Sequence, residues 1–224
     1  MLNVITVAEA QRLIASTFGM LKMPAEIVPL ESAGGRALAA DTLALEFVPD
    51  FDRSTVDGYA LRSKDVFGCS ESIPALMTVI GSAEMGRHTS LQLAAGECVY
   101  VPTGAEMPAG ADCVIMLEDA EVLEDGLVAV YKASPPGANL IFRGDDVRPG
   151  DVVLRAGTRL SPAHIGALAA MGLTEVSVRR QPRAAVISTG DELVPAGERL
   201  PAGKIRDVNA PMLLQAVRDA GGRA

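Results

Sequence analysis

From about Phe47 to Leu140 the chain is cut into short apolar runs by glycine, proline and aspartate. The runs read PALMTVIGSA, GECVYVPTG, ADCVIMLEDAEVLEDG and LVAVYKA. Runs of this length bounded by turn residues suit strands better than helices. The spacing therefore predicts a small all-β unit, a partly closed barrel in shape. Helical patterns flank it on both sides, so the simplest topology makes it an insertion that leaves one domain and returns to it. The expected boundaries are 1–46 for an N-terminal helical and linker part, 47–140 for the β insert, 141–180 for the return, and 181–224 for the start of an α/β domain. The fold class expected is thus a multidomain α+β and α/β chain.

The flanks carry clear local signals. Thr6 and Glu9 have capping-box spacing before a helix to Phe18, with Val7, Ala10, Leu13 and Ile14 as its apolar stripe and Gly19 as its stop. Ile27–Leu30 reads as a short strand and Glu31–Ala40 as a turn or short helix. Asp151–Leu154 and Glu175–Val178 read as strands. Between these two, Ser161-Pro162 opens a helix that Gly172 closes. Ala184–Ser188 (AAVIS) is expected to be a buried strand running into the loop TGDEL. Asn209 is expected to cap a last helix, with Met212, Leu213, Ala216 and Val217 on one face and Gly221 after it. Strand, glycine loop and helix make the first half of a βαβ unit, and no following parallel strand is present. The expectation is a fragment, or a short relative, of a larger protein. The alternative is that AAVIS joins another sheet and the helix packs on it.

Composition narrows the function classes. The 224 residues include no Trp and 4% aromatics, so the core must come from Val, Leu, Ile, Ala and Met. A net charge of -8 argues against nucleic-acid binding, which needs a basic face. Cys69, Cys98 and Cys113 lie in or near apolar runs without C-x-x-C spacing, which points to free buried thiols and a cytoplasmic setting. His88 and His164 stand alone, so a structural zinc site is not expected. No apolar run is long enough to span a membrane, and the N-terminus has no basic region or cleavage signal.

Four loops place acids or hydroxyls beside glycine. In FDRSTVDGYALRSKD, Asp57 sits among Ser54, Thr55 and Gly58, where it could ligate a metal, act as a base, or simply form an Asx-turn. In PTGAEMPAGAD, Thr103 and Gly104 could hold an oxyanion or form a plain turn. In FRGDDVRPGD, Arg143 and Asp146 could pair an anion clamp with a metal ligand, or sit on a solvated turn. In STGDEL, Ser188, Thr189 and Gly190 could cradle phosphate while Glu192 binds metal or moves a proton. Spacing excludes a P-loop. Lys204, Arg206, Asp207 and Asn209 follow, adding cations and a helix start.

The order and wording of these loops resemble the motif series of the molybdopterin molybdenumtransferases, the MoeA family related to the E domain of gephyrin. The matching stretches are Ser54–Ala60, Thr103–Asp112, Phe142–Gly150, Ser188–Leu193 and Gly203–Asn209. Val56 stands where the family usually has Met, and one Arg often seen before Gly144 is absent, leaving Arg143. The resemblance implies an elongated domain carrying an inserted β-barrel-like lid, followed by the first βα unit of a molybdopterin-binding α/β domain that continues beyond residue 224. It implies insertion of molybdenum from molybdate into adenylylated molybdopterin with release of AMP, assisted by Mg²⁺. It also implies a homodimer in which the lid of one subunit approaches the α/β domain of the other. Asp57, Thr103, Asp146 and Glu192 fall on positions the family associates with activity, with Asp57 and Glu192 as candidate metal ligands. Arg143, Ser188, Thr189, Gly190, Asp207 and Asn209 are candidate substrate contacts. The 224 residues alone are expected to be inactive. The alternative reading is a non-catalytic dimerising or scaffold module.

Overall fold

A computed structural model describes residues 4–19 and 21–224; the first three residues of the expected 1–46 segment lie outside them. The chain forms two compact units, one of Met1–Thr42 with Leu154–Ala224 and one of Leu43–Val153. The second is wider than the 47–140 segment because its two ends hold each other. The Ala44 N–H donates to Asp151 O, Gly150 N–H to Ala44 O, and Val48 N–H to Val147 O, all at 2.9 Å.

The second unit is built on a six-stranded mixed sheet. In spatial order its strands are Cys113–Met116, Gly58–Leu61, Glu97–Val101, Ala75–Ser82, Leu127–Val130 and Ala120–Val122. All neighbours are antiparallel except Ala75–Ser82 beside Glu97–Val101, which are parallel. Side chains alternate across a strand, so each inner strand feeds two cores. Tyr59, Leu61, Met77, Cys98, Cys113, Ile115, Val128 and Val130 pack on one face. Ala60, Val99, Val101 and Val114 pack on the other with Leu93 and Ala105. Small aliphatic side chains do the filling, as the absence of Trp requires. Burial pushes the Cys98 and Cys113 thiols up to about 12, so both stay protonated and inert.

The first unit has a smaller core. Strand Ala25–Pro29 runs antiparallel to Glu175–Arg179, and Leu30, Leu38, Leu160, Leu168, Met171, Val176 and Val178 are buried around them. Helix α1 (Val7–Phe18) starts with the expected capping box: Glu9 N–H donates to Thr6 Oγ1 at 3.2 Å, and Thr6 N–H donates to the Glu9 carboxylate at 2.7 Å. Helix α2 (Pro162–Ala170) is capped by Ser161 in the same way, with His164 in the reciprocal role. Both caps are contacts three residues apart, which is why sequence spacing finds them. Helix α3 spans Asn209–Asp219.

Two expectations are corrected here. Ala184–Ser188 is not a buried strand: the segment has no strand assignment and Ile187 is 82% exposed. The apolar sequence is strand-like, but among the described residues its pairing stops at one bridge, where Ala184 N–H donates to Arg223 O at 2.9 Å, and no strand continues beside it. The parallel pair that does form is Leu193–Val194 with Ile205–Arg206. Asn209 is the first residue of α3 rather than its cap. The capping oxygen is Asp207 Oδ1, which accepts the N–H groups of Asn209 and Ala210, each at 3.0 Å. A carboxylate two residues earlier reaches the exposed amides and also complements the helix dipole.

Gly58 is the tightest point of the sheet. It lies between Val101 and Met116 on the neighbouring strands, and a Cβ there would stand 1.9 Å from the carbonyl oxygen of Ile115. Relief requires separating two strands that are buried on both faces. Gly58→Ala should therefore lower unfolding stability by about 3 kcal/mol; a urea midpoint equal to that of the parent protein would show that the strands can part freely.

Candidate functional site

Asp57 occupies the turn between the short strand Arg53–Ser54 and the central strand Gly58–Leu61. Ser54, which is buried, spans the turn: its Oγ donates to Val56 O at 2.6 Å and accepts the Val56 N–H at 3.2 Å. That pair tightens the backbone so that Asp57 emerges directly before the strand. Asp57 does not fold back into an Asx-turn. Its Oδ1 accepts the Thr103 N–H at 2.6 Å and the Thr103 hydroxyl at 2.9 Å, across 46 positions of sequence.

The loop carrying Thr103 is fastened to the same turn. Gly104 N–H donates to Ser54 O at 2.8 Å, Ser54 N–H to Ala105 O at 3.1 Å, and Met107 N–H to Asp52 O at 2.9 Å. Gly104 has φ +84°, the left-handed region that glycine adopts without strain. The first two loops singled out in sequence are therefore one structure.

The electrostatic consequence falls on Asp57. The Thr103 backbone N–H, and then its hydroxyl, hold the carboxyl below the usual range and outweigh the small effect of burial. Asp57 is exposed and its Oδ2 makes no hydrogen bond among the described residues. Thr103 has a single hydroxyl proton, and here it points to Asp57. In this geometry Thr103 orients Asp57 and favours its ionised form.

Arg143 and Asp146 lie in the same unit but do not pair. The Arg143 guanidinium bonds Asp50 Oδ1 at 3.0 Å and covers the Phe47 ring at 4.1 Å from its centroid. Its N–H donates to Asp52 Oδ1 at 2.7 Å. Asp50 occupies Nε and one Nη2 proton of Arg143, and Nη1 keeps its donors for an anion. Asp146 is exposed, and its carboxylate has no partner among the described residues. Sequence reasoning passed over Asp50, Asp52 and Glu106. Glu106 accepts the Thr89 N–H at 2.9 Å and contacts His88 Nδ1 at 2.8 Å, pinning the far end of the Thr103 loop. The acid four positions before Gly110 in EMPAG was the visible signal for it.

The remaining candidates belong to the first unit. A Cβ at Gly190 would stand 2.7 Å from both Glu192 carboxylate oxygens, so glycine lets that carboxylate lie over the loop. Lys204 Nζ bonds the Asp191 carbonyl, and Ile205 N–H donates to Glu192 O at 2.8 Å. The Ser188 hydroxyl, then the amides of Ala210 and Asn209, hold Asp207 below the usual carboxylate range. Ser188 and Asn209 thus meet at Asp207, while Glu192 lies over Gly190, with Thr189 in the same exposed loop. Among the described residues, no group of three or more His, Cys, Asp or Glu is placed to hold a metal ion.

These features define a two-unit α+β protein that displays ionised carboxylates on glycine-bearing loops. The chain belongs to the MoeA family: the family described as "MoeA N-terminal region (domain I and II)" matches residues 5–172. It is 38% identical over 211 residues to a molybdopterin molybdenumtransferase of Staphylococcus aureus strain Mu50, covering 94% of this chain and 50% of that protein. It is 37% identical over 217 residues to molybdopterin molybdenumtransferase 2 of Mycobacterium tuberculosis strain CDC 1551, covering 96% and 53%. A solved structure of the molybdopterin biosynthesis MoeA protein from Pyrococcus horikoshii OT3 matches with TM-score 0.89 and 36% identity, over 99% of this chain and 58% of that one. A second, from the same species, gives TM-score 0.82 at 38% identity. The chain spans about half the length of the curated relatives it matches.

The Asp57–Thr103 pair gives a direct test. Thr103→Val keeps the backbone N–H and removes the hydroxyl, so the Asp57 pKa should rise toward the ordinary carboxylate value. Because the folded pKa lies below the unfolded one, the pair's stabilisation is present above the unfolded value and is lost as pH falls through the folded pKa. A carboxyl NMR titration reads the shift, and an unmoved Asp57 pKa in the variant contradicts this account.

Proposed function

We propose that this chain carries part of the machinery that inserts molybdenum from molybdate into adenylylated molybdopterin and releases AMP, within molybdenum cofactor biosynthesis. The observation that carries this reading is Asp57: an exposed carboxylate, held ionised by the Thr103 loop, with one oxygen free for a ligand. The names of the relatives support the same reaction class.

The chemistry asks for groups that orient an oxygen nucleophile at a phosphoanhydride and accept its proton. Asp57 Oδ2, Asp146 and Glu192 are the free acids suited to that work. Thr103 positions Asp57. Ser188, Thr189, Gly190, Asp207 and Asn209 in the first unit contribute hydroxyls and amides for phosphate oxygens, and Arg143 in the second adds charge. Asp57 Oδ2 and the Glu192 carboxylate, each in its own unit, are single carboxylates of the kind Mg²⁺ takes while water and phosphate fill its remaining positions. Bound at either, magnesium would draw negative charge from the phosphoanhydride.

In the full-length polypeptide, Asp57→Ala should cut AMP release about 10²-fold with little change in thermal midpoint, because Asp57 is exposed. An undiminished rate removes Asp57 from the site.

A homodimer is the partner we propose, in a cytoplasmic setting that suits the free thiols Cys98 and Cys113. Helix α1 supports it: Val7, Leu13, Ile14 and Phe18 are each at least 59% exposed, and the helix buries no residue. An apolar helical face left open is costly unless a second surface covers it. No helix of the described residues is long and apolar enough to cross a membrane. Leu13→Glu with Ile14→Glu should convert the dimer to monomer in sedimentation velocity; a dimer persisting in the double variant places the contact elsewhere. Dimerisation without AMP release by the parent protein would favour the scaffold reading.

A further inference from the structure

A cavity of about 490 Å³ in the first unit is lined by Glu26, Arg36, Arg180, Gln181, Arg183 and Arg223. None of these belongs to the residues assigned above to the molybdenum reaction. Backbone contacts bring them together. Arg180 N–H donates to Pro24 O at 2.8 Å, which sets it beside strand Ala25–Pro29. Arg183 and Arg223 meet in a parallel bridge, with Arg223 N–H on Pro182 O at 2.8 Å and Ala184 N–H on Arg223 O at 2.9 Å. Gln181 Nε2 donates to Gly221 O at 3.1 Å and ties the two segments at the cavity wall.

The charge balance there is unusual for this chain. Four guanidinium groups face one carboxylate, a local side-chain excess of positive charge in a protein whose net charge is -8. Arg36 bonds Glu26 directly, while Arg180 Nε stands 3.9 Å from the same carboxylate, beyond hydrogen-bond reach. Arg183 and Arg223 enter no ion pair among the described residues. Arg180, Arg183 and Arg223 are exposed, so their guanidinium groups are open to a ligand. Clustered cations repel one another, and an anion in the cavity relieves that repulsion. The planar fork of arginine matches tetrahedral oxyanions through paired N–H donors, which a set of lysines would not.

We propose that this cavity is a phosphate-binding site, taking either inorganic phosphate or the phosphate of a phosphomonoester. Arg183 and Arg223 supply free guanidinium donors, Arg180 supplies charge from the strand side, and Glu26 orients Arg36. The size of the cavity leaves room for a group attached to the phosphate.

The test is calorimetry on the full-length protein at low salt with inorganic phosphate, phenyl phosphate and phenol as probes. Phosphate and phenyl phosphate should bind and weaken as NaCl is raised, whereas phenol should not bind. Phenyl phosphate binding tighter than phosphate assigns the site to a phosphomonoester, and equal or weaker binding assigns it to the free ion. R183A/R223A should weaken phosphate binding at least tenfold while leaving the circular dichroism spectrum and AMP release unchanged. R183K/R223K, which keeps the charge but not the fork, should fall between the two. Absence of phosphate binding, or binding equal in the parent and R183A/R223A, overturns the proposal. Neither result bears on Asp57, so the two readings fail separately.

Discussion

The strand Gly58–Leu61 is the constraint on which the second unit depends. It runs between two other strands and is buried on both faces, so its position is set by packing from every side. Gly58 is where that packing is closest, since no side chain fits against the Ile115 carbonyl. Asp57 comes one residue earlier. A carboxylate adjoining so confined a backbone inherits its precision, and the Thr103 loop then fixes its side chain. The carboxylate is exposed while its support is among the most buried parts of the second unit.

This arrangement separates rigidity from access. The sheet needs no large aromatic groups, because Val, Leu, Ile and Ala fill both faces at the alternating period of the strands. Glycines at the loops permit close approaches: Gly104 N–H reaches the Ser54 carbonyl, and the Glu192 carboxylate lies over Gly190. In each unit the acid's partners are neighbouring amides and hydroxyls rather than cations. Asp57 rests on Thr103, and Asp207 on Ser188 and the first amides of α3. Such acids stay ionised without a salt bridge to neutralise them, so their charge remains available to a cationic or polar ligand.

Local features were legible from sequence for a physical reason. The caps at Thr6 and Ser161 are hydrogen bonds between residues three apart, and the strand runs carry their period in the residue order. The motif loops announced the family because their wording is dense and ordered. The errors arose where a segment depends on something distant. AAVIS has strand composition, yet among the described residues its pairing ends at the Arg223 bridge, and composition cannot extend it. Asn209 is a favoured cap type, but the helix began at that residue and Asp207 reached its amides instead. The contact of Arg143 with Asp50, nearly a hundred positions earlier, is likewise one that no local pattern shows.

The sequence by itself determined the strand-and-loop texture, the aliphatic core, the helix starts and the loops that carry acids, because each is written in residues a few positions apart. Only the tertiary structure decided that Asp57 leans on Thr103, that Arg143 is held by Asp50, and that Arg36, Arg180, Arg183 and Arg223 share one cavity. Those pairings span dozens to hundreds of positions. They follow from how strands and loops are brought together in space, which no local pattern of residues encodes.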